Sequence, residues 1–172
     1  MLVIVPAYNE EESLARVVAE VRAAVPDADV VVINDGSHDR TPLIGERAGA
    51  TVVSLPYNLG IGAAMQTGFI LGEAGDYQIA VQVDGDGQHD PAEIGVLLKR
   101  LLAGEADVVV GSRYLENRGY ITPWLRMLGI RILAGYVSML AGQRFTDTTS
   151  GFRVSNRRAL VSCAQNYPAD YP

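Results

Sequence analysis

Short apolar runs alternate with segments of helical periodicity along most of this 172-residue chain. The runs are rich in Val and Ile, are the length of a strand, and each leads into a polar segment; they cover residues 2–5, 30–33, 51–55, 79–83 and 108–110. Apolar residues recur at helical spacing between them, over residues 13–25, 41–48 and 63–74 and from Asp90 onward. This alternation predicts an α/β fold with a mainly parallel sheet covered on both faces.

The polar segment after the fourth run, Asp84-Gly85-Asp86-Gly87-Gln88-His89-Asp90-Pro91, carries the most chemical information. Ligands of a parallel α/β sheet bind at the carboxyl ends of its strands, so Asp84 and Asp86 are expected to share one crevice. A hard divalent cation such as Mg²⁺ or Mn²⁺ would relieve the repulsion between their carboxylates, because such ions prefer carboxylate and phosphate oxygens. A solvated Asp/Gly turn that binds nothing is the alternative interpretation.

Charge is distributed unevenly within the net charge of −6. Residues 1–112 sum to −11, whereas residues 113–158 hold eight arginines and no lysine and sum to +6. Arginine is favoured where phosphate is bound in a fixed geometry. The few aromatic residues among these arginines, and the apolar character of residues 123–141, favour an anionic lipid over nucleic acid as the partner. With one cysteine and two histidines, a Cys/His zinc site is not expected.

Residues 123–141 form an apolar helix candidate that contains Arg126 and Arg131. One interpretation is a core helix whose arginines extend to its edge. The other is a helix near a membrane interface, where the arginines meet lipid phosphate. No apolar run reaches the roughly 18 residues that a membrane-spanning helix needs.

Residues 147–153, Asp-Thr-Thr-Ser-Gly-Phe-Arg, are predicted to form a polar loop before a helix that begins near Asn156. An ion pair between Asp147 and Arg153 that only fixes a turn is the simplest interpretation of this loop. The single Cys163 cannot form an internal disulfide and is compatible with a reducing cytoplasm.

Six motifs resemble those of the family 2 glycosyltransferases of the GT-A fold, and they occur in the family's order over nearly the whole chain. Within that family, the closest resemblance is to the branch that contains dolichol-phosphate mannose synthase and the bacterial polyprenyl-phosphate glycosyltransferases. The motifs are Pro6-Ala7-Tyr8-Asn9-Glu10, Asp35-Gly36-Ser37, Asn58-x-Gly60-x-Gly62, Asp84-x-Asp86-x-Gln88-His89, Gly111-Ser112-Arg113-Tyr114 and Asp147-x-x-Ser150-Gly151-Phe152-Arg153.

The resemblance implies a three-layer, Rossmann-like sandwich that forms a single catalytic domain over residues 1–172, and it implies a role for several sets of residues. Donor-binding positions would be Pro6, Ala7, Tyr8, Glu10, Asp35, Asp84, Gly85 and Asp86. Metal ligands would be Asp84, Asp86 and Gln88. The acceptor phosphate would face Arg113, Arg126, Ser150 and Arg153, and the catalytic residues would be Asp147 and Arg113.

The activity implied by the resemblance is inverting transfer of a sugar from a UDP- or GDP-sugar to a polyprenyl phosphate, assisted by Mg²⁺ or Mn²⁺. The enzyme would work in the cytoplasm on the inner face of the membrane, without nucleic acid. Transfer to a saccharide hydroxyl and a non-catalytic nucleotide-sugar-binding core remain the alternatives. Relatives usually continue beyond a segment like residues 167–172, so the chain is expected to be truncated at its C-terminus.

Overall fold

The computed structural model of the protein describes residues 1–111 and 150–167. Six strands form one sheet in the order β3-β2-β1-β4-β6-β5. The strands are β1 (Leu2–Ala7), β2 (Asp29–Asn34), β3 (Thr51–Ser54), β4 (Ile79–Gln82), β5 (Val108–Val110) and β6 (Arg153–Asn156). The helices are α1 (Leu14–Ala24), α2 (Thr41–Arg47), α3 (Ile61–Ala74), α4 (Ile94–Leu102) and α5 (Arg157–Asn166).

The sheet is mainly parallel, as the sequence predicted. β1 pairs in parallel with β2 and with β4, and β2 pairs in parallel with β3. β6 runs antiparallel to both of its neighbours, β4 and β5. Every predicted strand is present, with ends that agree to within two residues, and α3 begins two residues earlier than expected.

Two apolar cores cover the two faces of the sheet, which makes the fold a three-layer sandwich. On one face, α1 and α4 pack through side chains such as Val17, Val21 and Leu97. On the other face, α3 and α5 pack through side chains such as Phe69 and Leu160. β1 lies at the centre and is buried along its whole length, as expected for a strand covered on both faces.

β6 was not predicted, because residues up to Arg153 were expected to form a polar loop. Its sequence, Arg-Val-Ser-Asn, is short and carries only one apolar residue. The strand forms because Val154 and Ser155 enter the sheet between β4 and β5, where the backbone bonds to both neighbours. Val154 and Ser155 are consequently buried. Tertiary pairing here overrides a weak local preference for a strand.

The helical segment predicted from Asp90 onward is present, and it begins with Asp90 as its N-cap and Pro91 as its first residue. The Asp90 carboxylate accepts a hydrogen bond from the backbone N–H of Ala92 at 3.0 Å. The first turn, Pro91–Glu93, is a 3₁₀ turn that leads into α4. Among the described residues, no helix is long and apolar enough to cross a membrane.

Candidate functional site

The carboxyl ends of the parallel strands β1 to β4 form one edge of the sheet, which we call the C-terminal rim. The motifs that the sequence singled out at residues 6–10, 35–37, 58–62 and 84–89 lie at or just after these strand ends. β6 runs in the opposite direction, so its first residue, Arg153, lies at the same rim and pairs with Gln82 at the end of β4. The fold therefore brings the predicted donor, metal and acceptor segments of the described chain to one edge.

Hydrogen bonds join the loop after β1 to the loop after β2. Asn9 adopts a left-handed conformation with φ of 56°, and its backbone N–H donates to the Ser37 hydroxyl at 3.0 Å. The Asn9 side-chain oxygen accepts from the N–H of His38 at 2.9 Å. One residue further, the N–H of Glu10 donates to the Thr41 hydroxyl at 2.7 Å. These contacts fix the strand ends that carry the predicted donor residues.

Asp35 is almost completely buried and holds the loop after β3. Its two carboxylate oxygens accept the backbone N–H groups of Leu59 and Gly60, at 2.8 and 2.9 Å. Gly36, with φ of +68°, packs so closely on the Tyr57 backbone that no Cβ would fit there. The Asp35 carboxylate thus positions the residues before α3. The contact with the nucleoside that the sequence suggested for Asp35 stays a prediction.

Asp84, the first acid of the pair, is surrounded on three sides. Its Oδ1 accepts a hydrogen bond from the Gln82 side-chain amide at 3.1 Å. Its Oδ2 lies 3.6 Å from Nδ1 of His89, a buried ring that stacks on Phe152 with the ring centroids 5.4 Å apart. A Cβ added to Gly151 would overlap the same carboxylate. The Asp84 side chain nevertheless keeps 24% of its surface exposed, so one side of it can still bind a ligand.

Asp86, the second acid, is exposed beside Asp84. Its Oδ1 accepts the backbone N–H of Gln88 at 2.9 Å, and the Gln88 side chain is exposed as well. Gly85 is buried, and its N–H donates to the Pro6 carbonyl at 3.2 Å. The acid pair is therefore attached to the end of β1, which carries the predicted donor residues.

The donor atoms at the acid pair fit a hard divalent cation. Within residues 1–111 and 150–167, no group of three or more His, Cys, Asp or Glu side chains is placed to hold a metal. Two carboxylates and an amide oxygen, from Asp84, Asp86 and Gln88, match an ion that takes few protein ligands and completes its shell with water and phosphate oxygens. The metal-ligand roles of these residues stay a prediction.

The predicted acceptor residues in the described chain adopt two different environments. Ser150 is buried, and its hydroxyl oxygen accepts the N–H of Phe152 at 3.2 Å. Arg153 is half-buried, and its Nη2 donates to the Ser150 carbonyl at 3.0 Å. The remaining predicted acceptor and catalytic residues, Arg113, Arg126 and Asp147, lie outside the described residues.

Sequence reasoning missed several residues that support the acid pair. The Ser13 hydroxyl lies 2.8 Å from the Gly85 carbonyl and 2.6 Å from the Glu10 carboxylate, and so connects two loops. No sequence pattern marks Ser13 for such contacts. Gly151 belongs to the motif over residues 147–153, but its contact with Asp84 was not predicted. Gln82 did carry a signal, because a polar residue inside a buried apolar strand needs a hydrogen-bond partner.

The sequence matches the model of Glycosyl transferase family 2 over residues 2–161. The chain belongs to this family. The match confirms the family that the motifs indicated, and it extends from the start of β1 into α5.

Two curated members of the family are similar to this chain over most of its length. The polyprenol monophosphomannose synthase of Mycolicibacterium smegmatis is 35% identical over 167 residues, which cover 92% of this chain and 62% of that protein. The undecaprenyl-phosphate mannosyltransferase of Micrococcus luteus is 34% identical over 160 residues, which cover 89% of this chain and 65% of that protein. The chain thus spans less than two thirds of the length of either relative.

A solved structure of a glycosyltransferase shares the fold. Glucosyl-3-phosphoglycerate synthase from Mycobacterium tuberculosis, in complex with Mn²⁺ and UDP-glucose, superposes with a TM-score of 0.67 at 25% identity. The superposition covers 94% of this chain and 57% of that chain. It confirms the GT-A architecture, in a neighbour whose structure contains both Mn²⁺ and a nucleotide sugar.

Proposed function

We propose that this chain is the catalytic core of an inverting glycosyltransferase that moves a sugar from a nucleotide-diphosphate sugar to a polyprenyl phosphate. The observation that carries the proposal is the meeting, at one rim, of the acid pair and the segment that contains Arg153. Asp84 contacts Gly151 directly, so a diphosphate bound at the acids would lie beside a phosphate bound near Arg153. Curated relatives named for mannosyl transfer to polyprenol and undecaprenyl phosphates support this choice of acceptor.

On the donor side, the loops after β1 and β2 would hold the nucleoside. Pro6 and Ala7 end β1, and the exposed ring of Tyr8 follows them. The Asp35 carboxylate keeps the neighbouring loop in place through Leu59 and Gly60. Because hydrogen bonds fix these loops to each other, little conformational entropy would be lost when the donor docks.

At the diphosphate, Asp84, Asp86 and Gln88 would hold Mg²⁺ or Mn²⁺. A bound divalent cation stabilises negative charge that develops on a departing diphosphate. The hydrogen bonds to Asp84 from Gln82 and to Asp86 from the Gln88 backbone orient the two carboxylates toward that task.

On the acceptor side, Arg153 would bind the phosphate that attacks the anomeric carbon, together with Arg113 and Arg126 as the sequence predicts. A phosphate monoester has a second pKa of about 6, so it is largely dianionic at neutral pH and needs no strong general base. The arginines would offset the repulsion between two anions and align them for attack. Asp147 would position the acceptor.

Calorimetric titration of UDP and of GDP, with and without Mn²⁺, tests the donor half of the proposal. We expect Mn²⁺-dependent binding of one nucleotide and its loss in Asp86→Ala. Asp27→Ala is the matched control, because Asp27 is an exposed acid between α1 and β2. Absence of binding to either nucleotide would refute the donor site in this chain.

Transfer of labelled sugar to undecaprenyl phosphate, compared with transfer to a saccharide acceptor, tests the acceptor half. Product on the lipid alone supports the proposal. Product on the saccharide alone would assign the chain to polysaccharide synthesis, and donor binding without turnover on either acceptor would indicate a non-catalytic binding core.

The same proposal places the protein at the inner, cytoplasmic face of a membrane, where a polyprenyl phosphate is presented. Sedimentation with vesicles that contain phosphatidylglycerol, compared with neutral vesicles at low salt, tests this location. We expect binding to the anionic vesicles that weakens as salt rises, because arginine and lipid phosphate attract each other electrostatically. Equal recovery in the supernatant with both vesicle types would contradict a peripheral membrane location.

A further inference from the structure

Gln82 is a buried polar residue at the end of a buried strand. It is the last residue of β4 and only 3% exposed. Its backbone is held on both sides, because it pairs with Ile4 of β1 and with Arg153 of β6. A side chain on so rigid a support can orient its neighbours.

One end of the Gln82 amide holds the first acid of the pair. Its Nε2 donates to Oδ1 of Asp84 at 3.1 Å, which leaves the partly exposed side of that carboxylate to a ligand. Residues that hydrogen-bond to metal ligands in this way fix the orientation of the ligands, and their removal typically weakens metal binding 10- to 100-fold.

The other end of the amide has no partner within the described part of the chain. Over residues 1–111 and 150–167, Gln82 Oε1 is a buried acceptor without a hydrogen bond, and Arg153 Nε is a buried donor without one. The two residues are directly opposite each other on antiparallel strands, so their side chains leave the sheet on the same face. Buried polar atoms that lack partners are costly, and these two atoms are chemically complementary.

We propose that Gln82 is a positioning residue that orients Asp84 for the metal and pairs through Oε1 with Arg153 once donor and metal are bound. The inference rests on the proposed donor site and adds a physical link between its metal side and its acceptor side. One amide would join a metal-binding carboxylate to a phosphate-binding guanidinium across a single pair of strands.

Mn²⁺ titration of Gln82→Met in excess UDP, with a parallel series in GDP, tests whether Gln82 orients Asp84 for the metal. Methionine has a similar volume but lacks both the NH₂ group that donates to Asp84 and the amide oxygen, so we expect Mn²⁺ affinity to fall 10- to 100-fold. The unfolding midpoint should not fall, because the substitution also removes a buried unpaired atom. Gln78→Met, an exposed glutamine just before the same strand, is the matched control and should leave Mn²⁺ affinity unchanged.

Arg153→Lys tests the link, since lysine keeps the positive charge and lacks the Nε–H donor. We expect it to weaken Mn²⁺ binding in the wild-type background and to have no further effect in Gln82→Met. Equal effects of Arg153→Lys in both backgrounds would overturn the link, because residues that act through one another are not additive.

The outcomes separate this inference from the proposed function. Mn²⁺ binding by the wild-type chain, with unchanged affinity in Gln82→Met, would overturn the role of Gln82 alone. Absence of Mn²⁺ uptake by the wild-type chain with either nucleotide would overturn both proposals. A lower unfolding midpoint together with unchanged Mn²⁺ affinity would identify Gln82 as a structural residue only.

Discussion

The carboxylate of Asp84 lies directly against the α-carbon of Gly151, so that a Cβ at residue 151 would overlap both carboxylate oxygens. Asp84 follows β4, and Gly151 precedes β6, the strand that pairs with β4. The predicted metal site and the predicted acceptor segment are therefore in contact. A substitution in the acceptor segment should therefore alter metal binding at Asp84.

Gly151→Ala should weaken Mn²⁺ binding in the presence of nucleotide by roughly 10-fold, because either Asp84 or the 150–153 segment must move to make room. Calorimetric titration of Mn²⁺ measures the effect. Gly95→Ala is the control, because a Cβ at that exposed position of α4 meets nothing within 4 Å. Alanine at residue 95 should raise helix stability by about 0.5–1 kcal/mol. Unchanged Mn²⁺ affinity in Gly151→Ala would show that the two segments can separate to fit the Cβ without disturbing the metal site.

Asp35→Asn should lower the free energy of unfolding by about 1–3 kcal/mol. An asparagine can accept from only one of the Leu59 and Gly60 N–H groups and would turn its own NH₂ toward the other. Urea denaturation measures the loss, and Asp27→Asn at an exposed position provides the control. A stability equal to that of the wild type would mean that the loop before α3 does not depend on this carboxylate.

The Asp39 carboxylate should make the free energy of unfolding depend on pH in acidic solution. Burial alone would raise the pKa of its carboxyl, but hydrogen bonds from the Thr41 hydroxyl and N–H and from the Glu11 N–H outweigh burial and lower the pKa below its ordinary value of 3.8. Because the folded pKa is the lower one, this contribution to stability is present above pH 3.8 and is lost as pH falls through the folded pKa.

Urea denaturation of the wild type and of Asp39→Asn, at neutral pH and at several values below 3.8, measures that contribution. The wild type should be the more stable protein at neutral pH, and the difference should shrink as the solution becomes more acidic. A difference that stays constant over the whole range would exclude the Asp39 carboxylate as its source.

Asp147→Asn should lower turnover while leaving nucleotide binding intact, if Asp147 positions the acceptor as the sequence suggests. Steady-state transfer to undecaprenyl phosphate and calorimetric titration with UDP or GDP measure the two properties separately. Full activity in the variant would remove Asp147 from the mechanism. Loss of nucleotide binding would instead assign Asp147 a role in binding the donor.

The sequence predicted the parallel part of the sheet because each of those strands is a run of Val and Ile bounded by polar residues. Its prediction failed at β6, where a strand with one apolar residue, Val154, is created by the neighbours that flank it. Position 153 was expected in a loop, yet it lies in the sheet beside Gln82. Local pattern cannot reveal pairing that depends on distant strands.

The candidate site likewise contains residues that the sequence could predict and residues that it could not. The acid pair could be found because two carboxylates follow a buried strand, which is a local pattern. The hydrogen bonds of Asp35 to residues 24 and 25 positions later, and the contact of Gly151 with Asp84, depend on three-dimensional packing alone. A single sequence names the chemical groups at such a site more readily than the side chains that hold them.

The position of β6 between β4 and β5 also constrains how the protein folds. β5 has no described strand partner except β6, and β6 follows it in the chain by more than 40 residues. During synthesis, the edge of β4 and the apolar Val108–Val110 segment therefore remain unpaired until the β6 residues have left the ribosome. Such long-range closure slows folding and leaves an exposed strand edge prone to aggregation. Folding of this protein should thus be limited by insertion of the β6 strand, and a chain that ends before residue 153 should be recovered mainly as aggregate.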